Sequence, residues 1–135
     1  MCYLIRKRVN QIVSKYKTNE PKIILREKQI KILRSPLGGK FAYKTTYKRS
    51  SVITLDENLD EYEERYILAH ELGHIVLHEG QSTTFYRANN FGNVPKIERE
   101  ANEFATLLLL HGQIYDNKYD ALRENGIPYD MERFI

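Results

Sequence analysis

The stretch that most constrains this chain runs from Tyr66 to Gly80 and reads YILAHELGHIVLHEG. It places His70 and His74 one helical turn apart, with Glu71 directly after the first histidine, inside an otherwise apolar run. Burying two imidazoles and a carboxylate is costly unless these groups are paired or bind a metal. We therefore interpret the stretch as a metal-binding helix rather than as a core helix with hydrogen-bonded histidines.

The spacing of these three residues suits the chemistry of a zinc peptidase. On an α-helix, His70 and His74 share one face, so their imidazoles can converge on one ion. Glu71 lies about 100° around the helix, beside that face rather than on it. This is the HExxH arrangement, in which two histidines bind Zn²⁺ and the glutamate acts as the general base. The sequence predicts His70 and His74 as zinc ligands and Glu71 as the catalytic base.

A catalytic zinc usually has a third protein ligand, and the following helical segment offers Glu98, Glu100 and Glu103. The apolar stripe of that segment consists of Ile97, Ala101, Phe104 and Leu108. Glu98 and Glu100 flank the stripe on opposite sides, whereas Glu103 points away from it and is expected to be solvated. Asn102, one turn after Glu98, could hydrogen-bond the free nitrogen of a ligand histidine. This favours Glu98 over Glu100, although periodicity alone does not separate them.

His78 lies one turn beyond His74 and resembles a further ligand. Histidines in three successive turns spread over about 12 Å, too far for one ion with bonds of about 2.0–2.1 Å. We expect His78 to cap the end of its helix, and His111 to do the same for the following helix.

The periodicity of apolar residues divides the first half of the chain. Helical spacing predicts a first helix from about Tyr3 to Tyr16, which the residues from Thr18 to Pro21 end. Residues 21–55 contain short apolar or alternating pieces and predict a small, mostly antiparallel sheet of three or four strands. The pieces are KIIL, QIKIL, KFAYK and SVITL.

Helical periodicity returns after residue 56. Asp60 and Glu63 resemble a capping box at the start of a helix from about Glu61 to His78. Pro95 suits the first turn of a second helix, which runs to His111.

Residues 80–94 are expected to form a loop between these helices, and 113–135 to form short helices broken near Gly126 and Pro128. The predicted fold class is α+β, in one domain of residues 1–135. Its parts are an N-terminal helix (1–20), a small sheet (21–55), a pair of zinc-site helices (56–112) and the C-terminal helices (113–135).

The charges are distributed unevenly. Residues 1–55 hold fourteen Lys/Arg and two Asp/Glu, whereas residues 56–135 hold seven and sixteen. We interpret this as two solvated faces that attract each other. The alternative is a basic surface for nucleic acid, but the sequence has no helix-turn-helix signature, zinc-finger spacing or RNP-type pattern. Direct binding to nucleic acid is therefore not expected.

The expected location is the cytoplasm. The N-terminal segment interleaves charged and apolar residues, unlike a secretory signal. The aliphatic run from Leu107 to Leu110 is too short to cross a bilayer, so no membrane contact is expected. A single cysteine, Cys2, agrees with a reducing compartment.

The residues LAHELGHIVLH, followed by EREANEFATLLL, resemble the ImmA/IrrE family of zinc metallopeptidases. The resemblance covers about Val52 to Leu110 well and the N-terminal part loosely. It implies that His70 and His74 are ligands and that Glu71 is the base. The second motif of the family, ExxA(N/D/S)xFAxxLL, supplies a glutamate ligand whose position matches Glu98, so the resemblance selects Glu98.

The resemblance further implies a small zincin-like domain from a prophage or mobile-element locus. Members of the family act on a helix-turn-helix repressor and cleave it, which relieves repression of transcription. The function predicted is that of a zinc-dependent endopeptidase with such a repressor as its substrate and partner. The alternative is a non-proteolytic, zinc-stabilised anti-repressor that acts by protein contact.

Two expectations concern the substrate. The strand SVITL is expected to be the sheet edge to which an extended substrate adds by main-chain hydrogen bonds. The candidates for a donor to the oxyanion are Tyr86, Arg87, Tyr115 and Tyr119.

Overall fold

A computed structural model describes residues 2–47, 50–79, 81–86 and 95–135. The fold is α+β, as predicted. In chain order its elements are α1 (Cys2–Tyr16), α2 (Pro21–Glu27), β1 (Lys31–Ser35), β2 (Lys40–Tyr47), β3 (Ser50–Asp56), α3 (Glu61–Leu77), β4 (Thr83–Tyr86), α4 (Lys96–Leu109), α5 (Lys118–Glu124) and a 3-10 helix (Tyr129–Phe134).

The helix that carries the HELGH stretch begins at the predicted capping box. The Asp60 carboxylate accepts a hydrogen bond from the Glu63 N–H at 2.8 Å. The Glu63 side chain accepts in return from the Asp60 N–H at 3.3 Å. This reciprocal pair satisfies two backbone donors at the first turn. The start of α3 is therefore confirmed, and His78 is the residue that caps its end.

The four strands form one sheet in the order β1-β3-β2-β4. β1 pairs with β3 in parallel, whereas β2 pairs with both β3 and β4 in antiparallel. The prediction of a mostly antiparallel sheet is thus confirmed. The expectation that SVITL is an edge strand is wrong, because β3 lies inside the sheet between β1 and β2. β4 is the edge strand on the other side of β2.

Two segments differ from their predicted elements. KIIL is part of the helix α2 rather than a strand, since Pro21 occupies the first turn and Ile24 and Leu25 are buried. A short apolar run fits a buried helix and a buried strand equally well. Residues 83–86, expected to lie in a loop, form β4, whose Thr83 and Phe85 are buried on the same face.

α3 is the central element of the core. Every residue from Tyr66 to His74 is buried, including the polar residues His70, Glu71 and His74. It packs most extensively against α4, and also contacts α2 and β2. A Cβ at Gly73 would lie 3.2 Å from the Ala101 Cα and 3.1 Å from the Phe104 Cβ. Glycine at this position therefore allows α3 and α4 to pack closely here.

α4 is covered on its outer side as well. α1 and the 3-10 helix pack against it, and Ile5 and Phe134 border the region around Glu103. The expectation that Glu103 is solvated is therefore wrong, because these elements bury it to 7% exposure. The break between the C-terminal helices is confirmed, with Gly126 in the left-handed region at φ 70°.

In the part of the chain that the structure describes, no helix is both long enough and apolar enough to cross a membrane.

Candidate metal centre

Three side chains from α3 and α4 converge at one point. The Glu98 carboxylate lies 3.0 Å from the Nε2 of His70 and 2.9 Å from the Nε2 of His74. The two Nε2 atoms are 3.1 Å apart. Two ligands with bonds of about 2.0–2.1 Å to a tetrahedral ion lie about 3.3 Å from each other. The spacing of the three groups therefore fits one small metal ion with modest adjustment.

His70 is held by Asn102 of α4. Its Nδ1 lies 2.7 Å from the Asn102 Oδ1, and the Tyr66 hydroxyl donates to the same oxygen at 2.9 Å. Because an amide oxygen only accepts, Nδ1 of His70 carries the hydrogen. A bound metal ion would then meet the lone pair of its Nε2, on the side where Glu98 converges. This is the contact that the sequence predicted for Asn102, and it is typical of a residue that orients a metal-binding histidine.

His74 is held by a different pair of residues. Its Nδ1 lies 3.0 Å from the Nδ1 of His78, whose Nε2 lies 2.9 Å from the Glu100 Oε1. Glu100, the alternative third ligand of the sequence analysis, therefore contacts His78 instead of joining the group of His70, His74 and Glu98. The contact of His78 with His74 was missed, although their spacing of one turn is the signal for it.

The charge of Glu98 is strongly stabilised. Burial alone would raise the pKa of Glu98, but hydrogen bonds from His70 and His74 outweigh it and lower the pKa to about 2. A metal ion would take the place of the protons in these contacts, because a histidine nitrogen must be deprotonated to bind it.

Glu71 lies beside this group and is buried. Its Oε2 accepts from the Thr83 hydroxyl at 3.4 Å, while its Oε1 has no hydrogen-bond partner in the described part of the chain. Burial raises the pKa of Glu71 to about 7. The charge of Glu98 raises this pKa further, whereas the charges of His74 and Lys44 and the hydrogen bond from Thr83 lower it. A pKa near neutrality and a carboxylate oxygen without a protein partner are properties that suit a general base.

Lys44 of β2 is a cation that interacts electrostatically with Glu71. Its ammonium is buried without a hydrogen-bond partner among the described residues. Desolvation lowers its pKa, and the charge of Glu71 opposes that effect. No feature of the sequence marks this residue, since a lysine in an alternating strand is ordinarily solvated.

The sheet covers the centre through Phe85 of β4. The ring of Phe85 stacks on the ring of His70, with centroids 3.9 Å apart and an interplanar angle of 19°. Phe41 of β2 meets Phe85 edge-on at 5.3 Å. Phe85 was missed by the sequence analysis because β4 was expected to be a loop.

Of the predicted oxyanion donors, the two that the structure describes, Tyr115 and Tyr119, lie away from the candidate centre. Tyr115 lines a cleft with Arg6 and His111, and Tyr119 packs against Tyr129. Both tyrosines are exposed, and none of these neighbours belongs to the candidate centre. Arg87 and the side chain of Tyr86 lie outside the described residues.

The region that contains this centre matches a known family. The family model Peptidase_M78, described as the IrrE N-terminal-like domain, matches residues 25–124. The chain belongs to this metallopeptidase family. The matched region includes α3 and α4 and therefore all three residues that converge.

Two curated relatives match nearly the whole chain. One is "Uncharacterized immunity region protein 2" of Bacillus phage phi105, 32% identical over 95% of this chain and 86% of its own length. Another is "Metallopeptidase ImmA" of Bacillus subtilis (strain 168), 30% identical over 93% of this chain and 69% of its own length. No solved structure matches this chain.

Proposed function

We propose that the protein is a gluzincin-like, zinc-dependent endopeptidase. In this proposal His70, His74 and Glu98 hold Zn²⁺, and Glu71 is the catalytic base. The observation that carries it is the convergence of two imidazole Nε2 atoms and a carboxylate beside a second, buried carboxylate. Bound zinc would supply a Lewis acid that activates water and polarises the scissile carbonyl.

The residues of the chain account for the remaining steps. Glu71 accepts the proton of the attacking water at its Oε1, which has no partner among the described residues. It then delivers this proton to the leaving amine nitrogen, as a general acid. Asn102 keeps His70 in one orientation during both steps.

An extended substrate would bind along β4 rather than along β3. β4 is the edge strand of the described sheet, and its Phe85 and Thr83 contact His70 and Glu71. Main-chain hydrogen bonds to an edge strand bind a peptide with little dependence on sequence. Selectivity would then come from docking of the intact substrate protein.

The substrate we propose is a helix-turn-helix transcriptional repressor in the cytoplasm. Support comes from the family and from the names of two relatives, an immunity region protein of a phage and Metallopeptidase ImmA. Cleavage of the repressor would relieve repression in a prophage or mobile-element locus.

The test measures zinc content and repressor cleavage in parallel for wild type, Glu71→Gln and Glu61→Gln. Glu61 lies exposed in the first turn of the same helix and is the matched control. We expect one zinc per chain in all three proteins, and a loss of cleavage by about 10²- to 10⁴-fold in Glu71→Gln alone. Cleavage by Glu71→Gln at the rate of wild type would refute the peptidase.

The alternative function is that of a zinc-stabilised anti-repressor. It is favoured by the position of the centre between α3 and α4, where a metal would stabilise the helix pair without any chemistry. In that case Glu71→Gln would still relieve repression in a reporter strain while the repressor stays intact.

A further inference from the structure

We propose that His78 and Glu100 are positioning residues that fix the tautomer of His74 and direct its Nε2 lone pair toward the metal. This inference rests on the metal centre proposed above. Neither residue is a ligand in that proposal, and together they form a chain of contacts from the Glu100 carboxylate through His78 to His74.

The Glu100 end of this series of contacts determines which nitrogen donates each hydrogen bond. A carboxylate accepts hydrogen bonds and donates none. The Nε2 of His78, at 2.9 Å from the Glu100 Oε1, therefore carries a hydrogen. A neutral imidazole has only one N–H, so the Nδ1 of His78 is an acceptor. The Nδ1 of His74, 3.0 Å away, must then be the donor. The Nε2 of His74, which lies 2.9 Å from the Glu98 carboxylate in this structure, is then the nitrogen left to bind the metal, because an ion would take the place of any proton in that contact.

The backbone explains how His78 can reach back to His74. His78 is the C-cap of α3, and its dihedral angles, φ −128° and ψ 55°, are not helical. The centroids of the His74 and His78 rings are 5.1 Å apart, close to the 4.8 Å between the rings of His70 and His74 one turn earlier. The spacing of four residues thus places His78 beside His74 on the same face. The residue that ends the helix thus also orients the ligand.

The two ligand histidines are supported by unlike groups, Asn102 of α4 and His78 at the end of α3. His70 donates to a neutral amide oxygen, that of Asn102, whereas His74 donates to a second imidazole that ends on a carboxylate. Asn102 and Glu100 both belong to α4, as does Glu98. One helix therefore supplies a ligand and anchors both supports. Partners of this kind typically change metal affinity by about 10- to 100-fold.

The experiment compares zinc affinity, measured by competition with a chelator, in wild type and in four variants. His78→Phe removes the acceptor, and Glu100→Ala removes the outer anchor. His78→Asn keeps an oxygen that can accept from His74, and Glu79→Ala is the matched control, an exposed acid beside His78. Folding of each variant is checked by circular dichroism.

We expect His78→Phe to weaken zinc binding by about 10- to 100-fold and Glu100→Ala by a smaller factor. His78→Asn should recover part of the loss, and Glu79→Ala should bind as wild type does. Nitrogen NMR of the zinc-loaded wild type should show His74 protonated at Nδ1 and His78 at Nε2. If His78→Phe fails to fold, Glu100→Ala and the NMR tautomers still decide the question.

Wild-type affinity in both His78→Phe and Glu100→Ala would overturn the inference, and so would a His78 ring protonated at Nδ1. Either result would leave the proposed function in place, because His70, His74 and Glu98 would still bind zinc. A wild type that binds no zinc would instead refute the metal centre itself. The two failures are therefore distinguishable in one set of titrations.

Discussion

The helix pair of α3 and α4 and the edge strand β4 both border the candidate metal centre, but they contribute in different ways. The helices provide all three converging groups and the partners of both histidines. β4 provides a ring that stacks on His70 and a hydroxyl that donates to Glu71. The difference indicates that mutations can distinguish the residues proposed to bind the metal from the β4 residues that pack over the centre. Changes between the helices should destroy the centre, whereas changes in β4 should only weaken it.

The largest effect is expected from Gly73→Val, which forces the helices apart. The new Cβ would meet backbone of Ala101 at 3.2 Å, so a helix rather than a side chain must move. We expect the free energy of unfolding in urea to fall by about 3 kcal/mol or more, and zinc binding to be lost. Gly39→Val is the control, because nothing lies within 4 Å of a Cβ there. Equal losses at both glycines would contradict the close contact.

The second effect concerns Glu71, which lies between the two regions. Its pKa in the fold, about 7, is above its ordinary value of 4.5, so the metal-free protein loses stability as pH rises through this window. Metal-free Glu71→Gln should therefore be more stable than wild type at pH 8, by roughly 3 kcal/mol. At pH 4 both residues are neutral and the difference should vanish. Urea unfolding at the two pH values measures it, and a difference independent of pH would contradict the assignment.

A smaller effect is expected from Phe85→Leu in β4. Leucine keeps most of the apolar volume but loses the stack on His70, so zinc affinity should fall a few-fold and stability by about 1 kcal/mol. Phe41→Leu is the control, since Phe41 contacts Phe85 edge-on and is not stacked on the histidine. It should lose similar stability with no change in zinc affinity. The same fall in affinity for both variants would show that the stack does not orient His70.

The smallest effect is expected from Thr83→Val, which removes the hydrogen bond to Glu71. The bond is long, at 3.4 Å, and its loss should cost about 1 kcal/mol at pH 8, where Glu71 is charged. Little cost is expected at pH 4 in the metal-free protein. Thr106→Val removes a hydrogen bond to the Asn102 carbonyl and should have the same cost at both pH values. Urea unfolding of the two variants provides the comparison.

The helix pair could be predicted from the sequence because its determinants are local. A period of 3.6 residues fixed which face His70 and His74 share, and Asp60 with Glu63 marked the first turn. The position of Asn102, one turn after Glu98, predicted a hydrogen bond to a ligand histidine, and the structure shows that this histidine is His70. Each of these inferences needed only the spacing of residues within one helix and the assumption that α4 packs against α3.

The remaining features depend on contacts between distant segments. β3 lies inside the sheet because β1 pairs with it in parallel. The residues of β3 alone do not indicate this pairing. Glu103 is buried because α1 covers the far side of α4, and the periodicity of α4 does not report that cover. β4 was missed because its four residues stand among residues typical of a loop.

Glu98, Glu100 and Asn102 all lie on α4, so the candidate centre can be completed only late in synthesis of the chain. During synthesis the two histidines of α3 leave the ribosome first, and Glu98, Glu100 and Asn102 follow only after β4. An ion that meets the nascent chain early therefore finds the two histidines before Glu98, Glu100 and Asn102 have been made. The complete centre exists only after α4 has docked, so zinc would bind the finished fold alone. Its binding would then stabilise the folded state, by an amount that grows as free zinc rises above the dissociation constant. This added stability would be lost when a cell is depleted of zinc.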